Sequence, residues 1–360
     1  MKHTATLLLL FYSLVSFSQK EANNWYFGSN AGIKFLDDGS VQILTGSQMV
    51  TNEGCSTISD SDGNLLFYTD GRTIWDRNHV VMPNANYAAG TGLLGDPSST
   101  LSGIIVPKKD NPNIYYVFTV DEPHQTNATT YPAQYVGSYN EQGNIQFQPA
   151  ADDGFNNGLN YSVVDLSVIG TNGSIGDVTT SNVPLLTYDP NNIEEAKYKC
   201  SEKITAVKNY NGTGFWVLSH FIDKFYTFYV DQNGVNSTPI VTQITPVVPT
   251  SGYRRNAIGC IKASPDGNYI AIVHQQRGTV TGGNASNGCV YLYNFNNETG
   301  AISNPQLIIE NINPYGIEFS AQTKKLYVST NSAVWQFNML STDIPASGVV
   351  VAQGVSDSAM

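Results

Sequence analysis

The chain has 360 residues, of which 13% are charged, and a net charge of −11. An acidic surface repels phosphate backbones and anionic headgroups, which argues against nucleic acid as a partner and against direct membrane insertion. Hydrophobic residues at 41% and aromatics at 11% exclude a disordered chain, and the Ala/Glu/Lys/Leu heptads of a coiled coil or helical bundle are absent.

The chain opens with Met1-Lys2-His3, an apolar run from Leu7 to Phe17 and the small-x-small site Ser16-Phe17-Ser18. This is the pattern of a secretory signal peptide over residues 1–18. The run is too short for a bilayer core of about 30 Å. The mature chain, 19–360, is therefore expected to be one secreted or cell-surface domain.

Short β-branched and aromatic runs then alternate with Gly/Asn/Asp turns, in keeping with 32 glycines, 16 prolines and 36 asparagines. A partial N-terminal set comprises Trp25–Phe27, Gly32–Leu36 and Ser40–Leu44. A first unit follows at Cys55–Ser59, Leu65–Thr69, Thr73–Asp76 and Val80–Met82. The second runs Gly103–Pro107, Ile114–Val120, Tyr161–Leu166 and Ser181–Leu186, with an insertion over Asp121–Leu159 that holds a candidate hairpin, Gln134–Tyr139 with Asn144–Gln148. One short helix is expected over Asn192–Lys197. A third unit takes Glu202–Val207, Phe215–His220, Phe225–Val230 and Thr238–Ile244. A fourth takes Gly259–Ser264, Tyr269–His274, Gly288–Phe295 and Pro305–Glu310, and a fifth restarts at Tyr315–Ser320, Lys325–Ser329 and Ala333–Phe337. Turns such as Asp62-Gly63-Asn64 and Asp266-Gly267-Asn268 supply the positive φ of tight hairpins.

A repeat of about 55 residues, four strands per unit, predicts an all-β fold: a β-propeller of four-stranded antiparallel blades. Five blades are countable beside the partial N-terminal set, with six or seven expected when complete. The final stretch, Val349–Met360, offers no strand complement for the N-terminal piece, so a C-terminally truncated propeller is expected.

The stretches Asn23–Phe35, Glu53–Met82, Ser102–Asp121, Tyr161–Gly170 and Glu202–Phe221 resemble the N-terminal region of secreted Bacteroidetes proteins, the gliding-motility-associated, PKD-repeat surface proteins. The resemblance implies a propeller-like domain in a larger protein, with PKD modules and a type nine secretion signal downstream. A second resemblance, on Ser264–Gln275 and Val290–Ser303, is to YVTN and lactonase-like propellers. These phrases encode strands and turns rather than chemistry.

Candidate chemistry is sparse. Cys55, Cys200, Cys260 and Cys289 have no zinc-ligand spacing; buried strand cysteines and disulfides both remain open. Asp60–Asn64 looks like the start of a calcium loop, but its Gly is fourth and a strand follows, so a turn is the better reading. Gly28–Gly32 precedes a strand rather than a helix, which argues against a phosphate cradle. Tyr253-Arg254-Arg255 is the one paired basic site, read as a solvated loop before an anion site. Trp25, Trp75, Trp216 and Trp335 fall at β-runs, as packing anchors before sugar platforms. His220 and His274 each end the second strand of a unit, and Asp121 and Glu122 end that of another, which defines a candidate rim cluster for a metal or a general base. No cofactor is expected. The leading expectation is a non-enzymatic binding or adhesion propeller that takes protein or glycan ligands at one rim. The alternative is a secreted hydrolase or lactonase with its site at the channel mouth.

Overall fold

The computed structural model describes residues 20–124, 154–251, 253–278 and 286–354. The expected signal peptide, the hairpin within 134–148 and the segment after 354 lie outside the described residues.

Six antiparallel sheets follow one another along the chain as the blades of a β-propeller. The N-terminal set is the first of them, three strands at Asn24–Tyr26, Gly32–Phe35 and Val41–Leu44. Blade two has Ser56–Ser59, Leu65–Thr69 and Ile74–Asp76; its expected fourth strand is reduced to a single bridge, Trp75 to Val81, because the chain turns at Pro83 into a 3-10 helix. Blade three has Gly103–Pro107, Ile114–Val120, Leu159–Ile169 and Ile175–Leu185. Its last two strands outrun expectation because the Gly170–Ser174 turn joins them directly, with three register shifts absorbing the mismatch. Blade four has Ile204–Lys208, Phe215–Phe221 and Lys224–Asp231, with Ile240–Gln243 and the short Gly234–Val235 both pairing on the third strand. Blade five has Ile261–Ala263, Tyr269–His274, Gly288–Asn296 and Ala301–Ile312. Blade six has Pro314–Phe319, Lys325–Thr330, Ala333–Asn338 and Val349–Gln353. The expected helix spans Ile193–Tyr198, capped by the Asn192 side chain on the Glu194 and Glu195 amides. A second short helix, Tyr253–Ala257, replaces the expected loop at the paired arginines.

Period-2 alternation explains the packing. The second strands of blades two to five lie inside their sheets and bury both faces, so they read as continuous apolar runs, whereas that of blade six, Lys325–Thr330, alternates. Along Ile114–Val120, Tyr115 and Val117 join Phe67 and Ile74 of blade two, while Tyr116 and Phe118 join Val217 and Phe228 of blade four. On Phe215–Phe221 the other face, Trp216 and Leu218, meets Ile270 and Ile272 of blade five. Ala271 and Val273 then meet Phe319, Leu326 and Val328 of blade six. Tyr26 and Met49 close on Tyr68 and Trp75. The core is thus a series of dry inter-blade layers. Each fully buried large side chain in them contributes about 1.5–3 kcal/mol. The far face of blade one stays open: Trp25, Phe35, Val41 and Ile43 are all exposed. Among the described residues, no helix is long and apolar enough to cross a membrane.

Candidate functional site

The up-and-down course of every blade brings the start of its first strand and the end of its second to one rim. The second strands of blades two to six end at Thr69, Val120, Phe221, His274 and Thr330. The turns that follow carry Asp70–Thr73, Asp121–Glu122 and Asn331–Ser332, and Glu202–Lys203 lead into blade four there. The expectation of a polar rim rests on this geometry.

His220 and His274 are brought together. Their rings meet edge to face with centroids 4.9 Å apart, at the end of the layer between blades four and five. His220 lies opposite Phe225 and His274 opposite Cys289. The rings are sealed, at 1% and 0% exposure. Among the described residues, His220 Nε2 and both ring nitrogens of His274 have no hydrogen-bond partner. Burial, with the Lys203 ammonium nearby, pushes His220 down to about 3. His274 is held well below its ordinary value by burial, then by Lys203, His220 and Arg277. Both are neutral imidazoles across the physiological range.

Asp121 and Glu122 do not join that pair directly. Asp121 accepts from the Glu122 and Asn157 amides, and Glu122 Oε2 lies 3.1 Å from His124 Nε2. The two sets are linked through Glu202 and Lys203. Glu202 Oε2 accepts from the Thr100 amide at 2.8 Å and its hydroxyl at 2.7 Å, and Oε1 is buried with no hydrogen-bond partner among the described residues. Burial and the neighbouring Glu122 push the Glu202 carboxyl up. Lys203, 1% exposed, donates to the Asn256 carbonyl at 3.2 Å and to that of Ala257 at 2.5 Å, and burial pushes it down. Among the described residues, no group of three or more His, Cys, Asp or Glu converges to hold a metal. The candidate cluster is therefore a sealed seam of polar groups rather than an open acid–base pair.

The remaining candidates resolve as follows. The four cysteines are free thiols. Burial raises Cys55 to about 11 and Cys289 to about 12, which removes thiolate character. Asp60 Oδ1 accepts from the Asp62 and Asn64 amides, so the calcium-like run is a turn. In the Gly28–Gly32 stretch the Asn30 amide donates to the Met49 carbonyl and the Ala31 amide to that of Gly28. Those donors are spent on the chain itself. Arg255 is exposed, and the Arg254 side chain lies outside the described residues. Trp75 and Trp216 are buried anchors, whereas Trp25 is 47% exposed and Trp335 half-buried.

Two openings lie on the rim just described. One, of about 180 Å³, is lined by Asp70, Arg72, Trp75 and Tyr87 among others. Asp70 is buried, its carboxyl pushed up by burial, and it accepts from the Arg72 and Thr73 amides at 2.9 and 2.7 Å. The Arg72 guanidinium lies 4.0 Å over the Tyr87 ring. The other is a groove of about 780 Å³ between blades five and six, where Trp335 stands beside Asn313, Asn331 and Gln353. Sequence reading missed Arg72, Tyr87, Glu202 and Lys203. The signal available was the polar run Asp70-Gly71-Arg72-Thr73 set between two strands.

No protein-family model matches the chain. No curated protein sequence matches it. Among solved structures it is similar to a candidate 6-phosphogluconolactonase from Bacteroides fragilis, at 12% identity over 92% of this chain and 82% of that one, with a TM-score of 0.43. It is also similar to the periplasmic gluconolactonase PpgL of Pseudomonas aeruginosa, at 10% identity over 90% and 76%, with a TM-score of 0.40. The β-propeller domain of Myceliophteria thermophila Cps50 (Swd1) matches at 12% identity over 93% and 88%, with a TM-score of 0.43. Likeness at this identity bears on no site.

Proposed function

We propose that the chain is an extracellular, non-enzymatic binding propeller, part of a larger cell-surface or secreted protein, that takes protein or glycan ligands at one rim. The observation that carries this reading is that two openings among the described residues, in blade two and between blades five and six, fall on the rim formed by the second-strand ends. Rim turns are free to vary while the blades keep their packing, which is how a rigid scaffold presents a binding surface. Surface placement rests on the N-terminal leader pattern and on the resemblance to the gliding-motility-associated proteins.

The second reading, a propeller hydrolase or lactonase, draws support from the unpartnered His220, His274 and Glu202 atoms at the same rim. The burial of both rings weighs against it, because a general base has to come within hydrogen-bond reach of its substrate. The experiment is a paired assay on the purified chain: titration against immobilised glycans and surface extracts, and lactone ring-opening followed by pH-stat. Saturable binding without turnover supports the proposal. Turnover that is lost in His220→Ala replaces it with the hydrolase reading.

A further inference from the structure

The groove between blades five and six has a lining unlike the rest of this acidic molecule. Of its eleven lining residues, none is ionisable. Ser286 and Asn313 come from blade five and its exit, and Asn331, Ser332 and Gln353 from blade six. The side chains of these five make no hydrogen bond to another described residue. Carboxamides and hydroxyls each offer both donors and acceptors. Here those five side chains line one space.

Trp335 supplies the apolar wall. Its ring is half-buried and stacked on Phe337, with centroids 6.3 Å apart and planes 16° apart, so it is held as a rigid plate. Ile312, Ala333 and Val350 complete that wall. The turn beneath is fixed: Thr330 Oγ1 donates to the Ala333 carbonyl at 3.0 Å and accepts from the Ala333 and Ser332 amides. The Gly354 amide reaches the Ser332 carbonyl at 3.2 Å. The groove is thus pre-formed, which lowers the ordering cost of binding.

We infer that this groove is a subsite for an uncharged oligosaccharide, with one sugar ring laid on Trp335 and its hydroxyls shared among Asn313, Asn331 and Gln353. Three features select that ligand class. A charged polymer finds no counter-charge in the lining and loses its hydration on entry. A purely apolar ligand would strip water from five polar side chains without replacing their hydrogen bonds. A sugar ring has an apolar C–H face for the indole and a polar periphery for the amides. The volume of about 780 Å³ lies within the usual range of ligand sites, and the groove opens to solvent so that a chain can run through. The inference rests on the binding-propeller reading and names the ligand class of one of the two openings described above.

The test uses the full chain and neutral hexasaccharides of glucose, xylose and mannose, with hexagalacturonate as the charged control, followed by calorimetry and by Trp fluorescence. Saturable binding of at least one neutral hexasaccharide with none of the hexagalacturonate is expected. Trp335→Ala should weaken it about ten-fold or more, as for aromatic anchors in other sites. The double variant Asn331→Asp, Gln353→Glu changes two exposed groove positions without touching the core; it should also lose binding at an unchanged unfolding midpoint. Gln48→Ala, at an exposed position of the other opening, reports on binding there and should leave the affinity unaltered if the sugar sits in the groove. If neutral sugars bind but respond to Gln48→Ala and not to the groove variants, binding at the rim stands and the groove assignment falls. If none of the three neutral sugars binds at millimolar concentration, the groove assignment is overturned while the binding of other ligands at the rim stays open to the surface-extract assay.

Discussion

Acidification should weaken the layer between blades four and five through its two sealed histidines. An unfolded histidine takes up a proton below about pH 6.5. The folded His220 refuses it until about 3, and His274 is also held well below its ordinary value. Because the folded values are depressed, their stability contribution is full above pH 6.5 and is lost as pH falls from there. Each pH unit below 6.5 costs about 1.4 kcal/mol for a histidine that stays neutral when folded, so descending to pH 5 costs about 2 kcal/mol for His220, and His274 adds to the loss in the same direction. Against a net stability of about 5–15 kcal/mol this is a large fraction.

Glu202 works in the opposite direction, since its raised carboxyl takes a proton in the folded chain before the unfolded one does. Absolute pH profiles therefore mix both signs, and the informative quantity is the difference between wild type and His274→Phe. Phe keeps the edge-to-face contact with His220 and carries no titrating group. Urea unfolding, read by tryptophan fluorescence at intervals from pH 7.5 to 5, should show wild type losing stability more steeply than the variant below pH 6.5. Parallel profiles would mean that water or a partner reaches His274, and the sealed-seam account would be wrong.

Three further outcomes follow from particular contacts. Gly288→Ala puts a methyl 2.4 Å from the Gln275 carbonyl and 2.5 Å from that of Ile312. It should cost about 1–3 kcal/mol, as overpacking does, read from the urea midpoint, and it should weaken sugar binding because Ile312 lines the groove. Tyr293→Phe removes a hydroxyl that donates to the Thr245 carbonyl at 2.8 Å in a buried setting; thermal unfolding should report a loss of about 1 kcal/mol. Asn192→Ala removes the cap of the Ile193–Tyr198 helix and should cost about 1 kcal/mol in the same assay.

The propeller was legible because its signals are local. Asp62-Gly63-Asn64 and Asp266-Gly267-Asn268 dictate their turns within five residues, and Phe215–Phe221 declares a strand buried on both faces. The meeting of His220 and His274 was legible for the same reason: both end the same strand of neighbouring units. The sealing of those rings was not, and neither was the reach of Lys203 to the Asn256 and Ala257 carbonyls, fifty-odd residues away in the chain. The pocket of blade two was hidden likewise. Gln48, Arg72 and Tyr87 reach it from three separate segments, none of which carries a motif. Trp335 looked like any strand tryptophan, and only the rim turns around it give its ring an open face.

Each sheet is assembled from consecutive strands, and this bears on how the chain folds as it is made. No blade borrows a strand from a distant part of the described sequence. Loop-closure costs stay small, and a blade can hydrogen-bond internally once its own stretch has emerged. Its two apolar faces mature on different schedules. The face toward the preceding blade is covered at once, while the face toward the next waits, as with Ala271 and Val273, until Leu326 and Val328 arrive. At about 5–20 residues per second, that wait lasts several seconds per blade. During elongation the growing molecule thus carries one sticky front that moves with synthesis, and slowing translation within a blade should increase capture by holdase chaperones more than slowing it elsewhere.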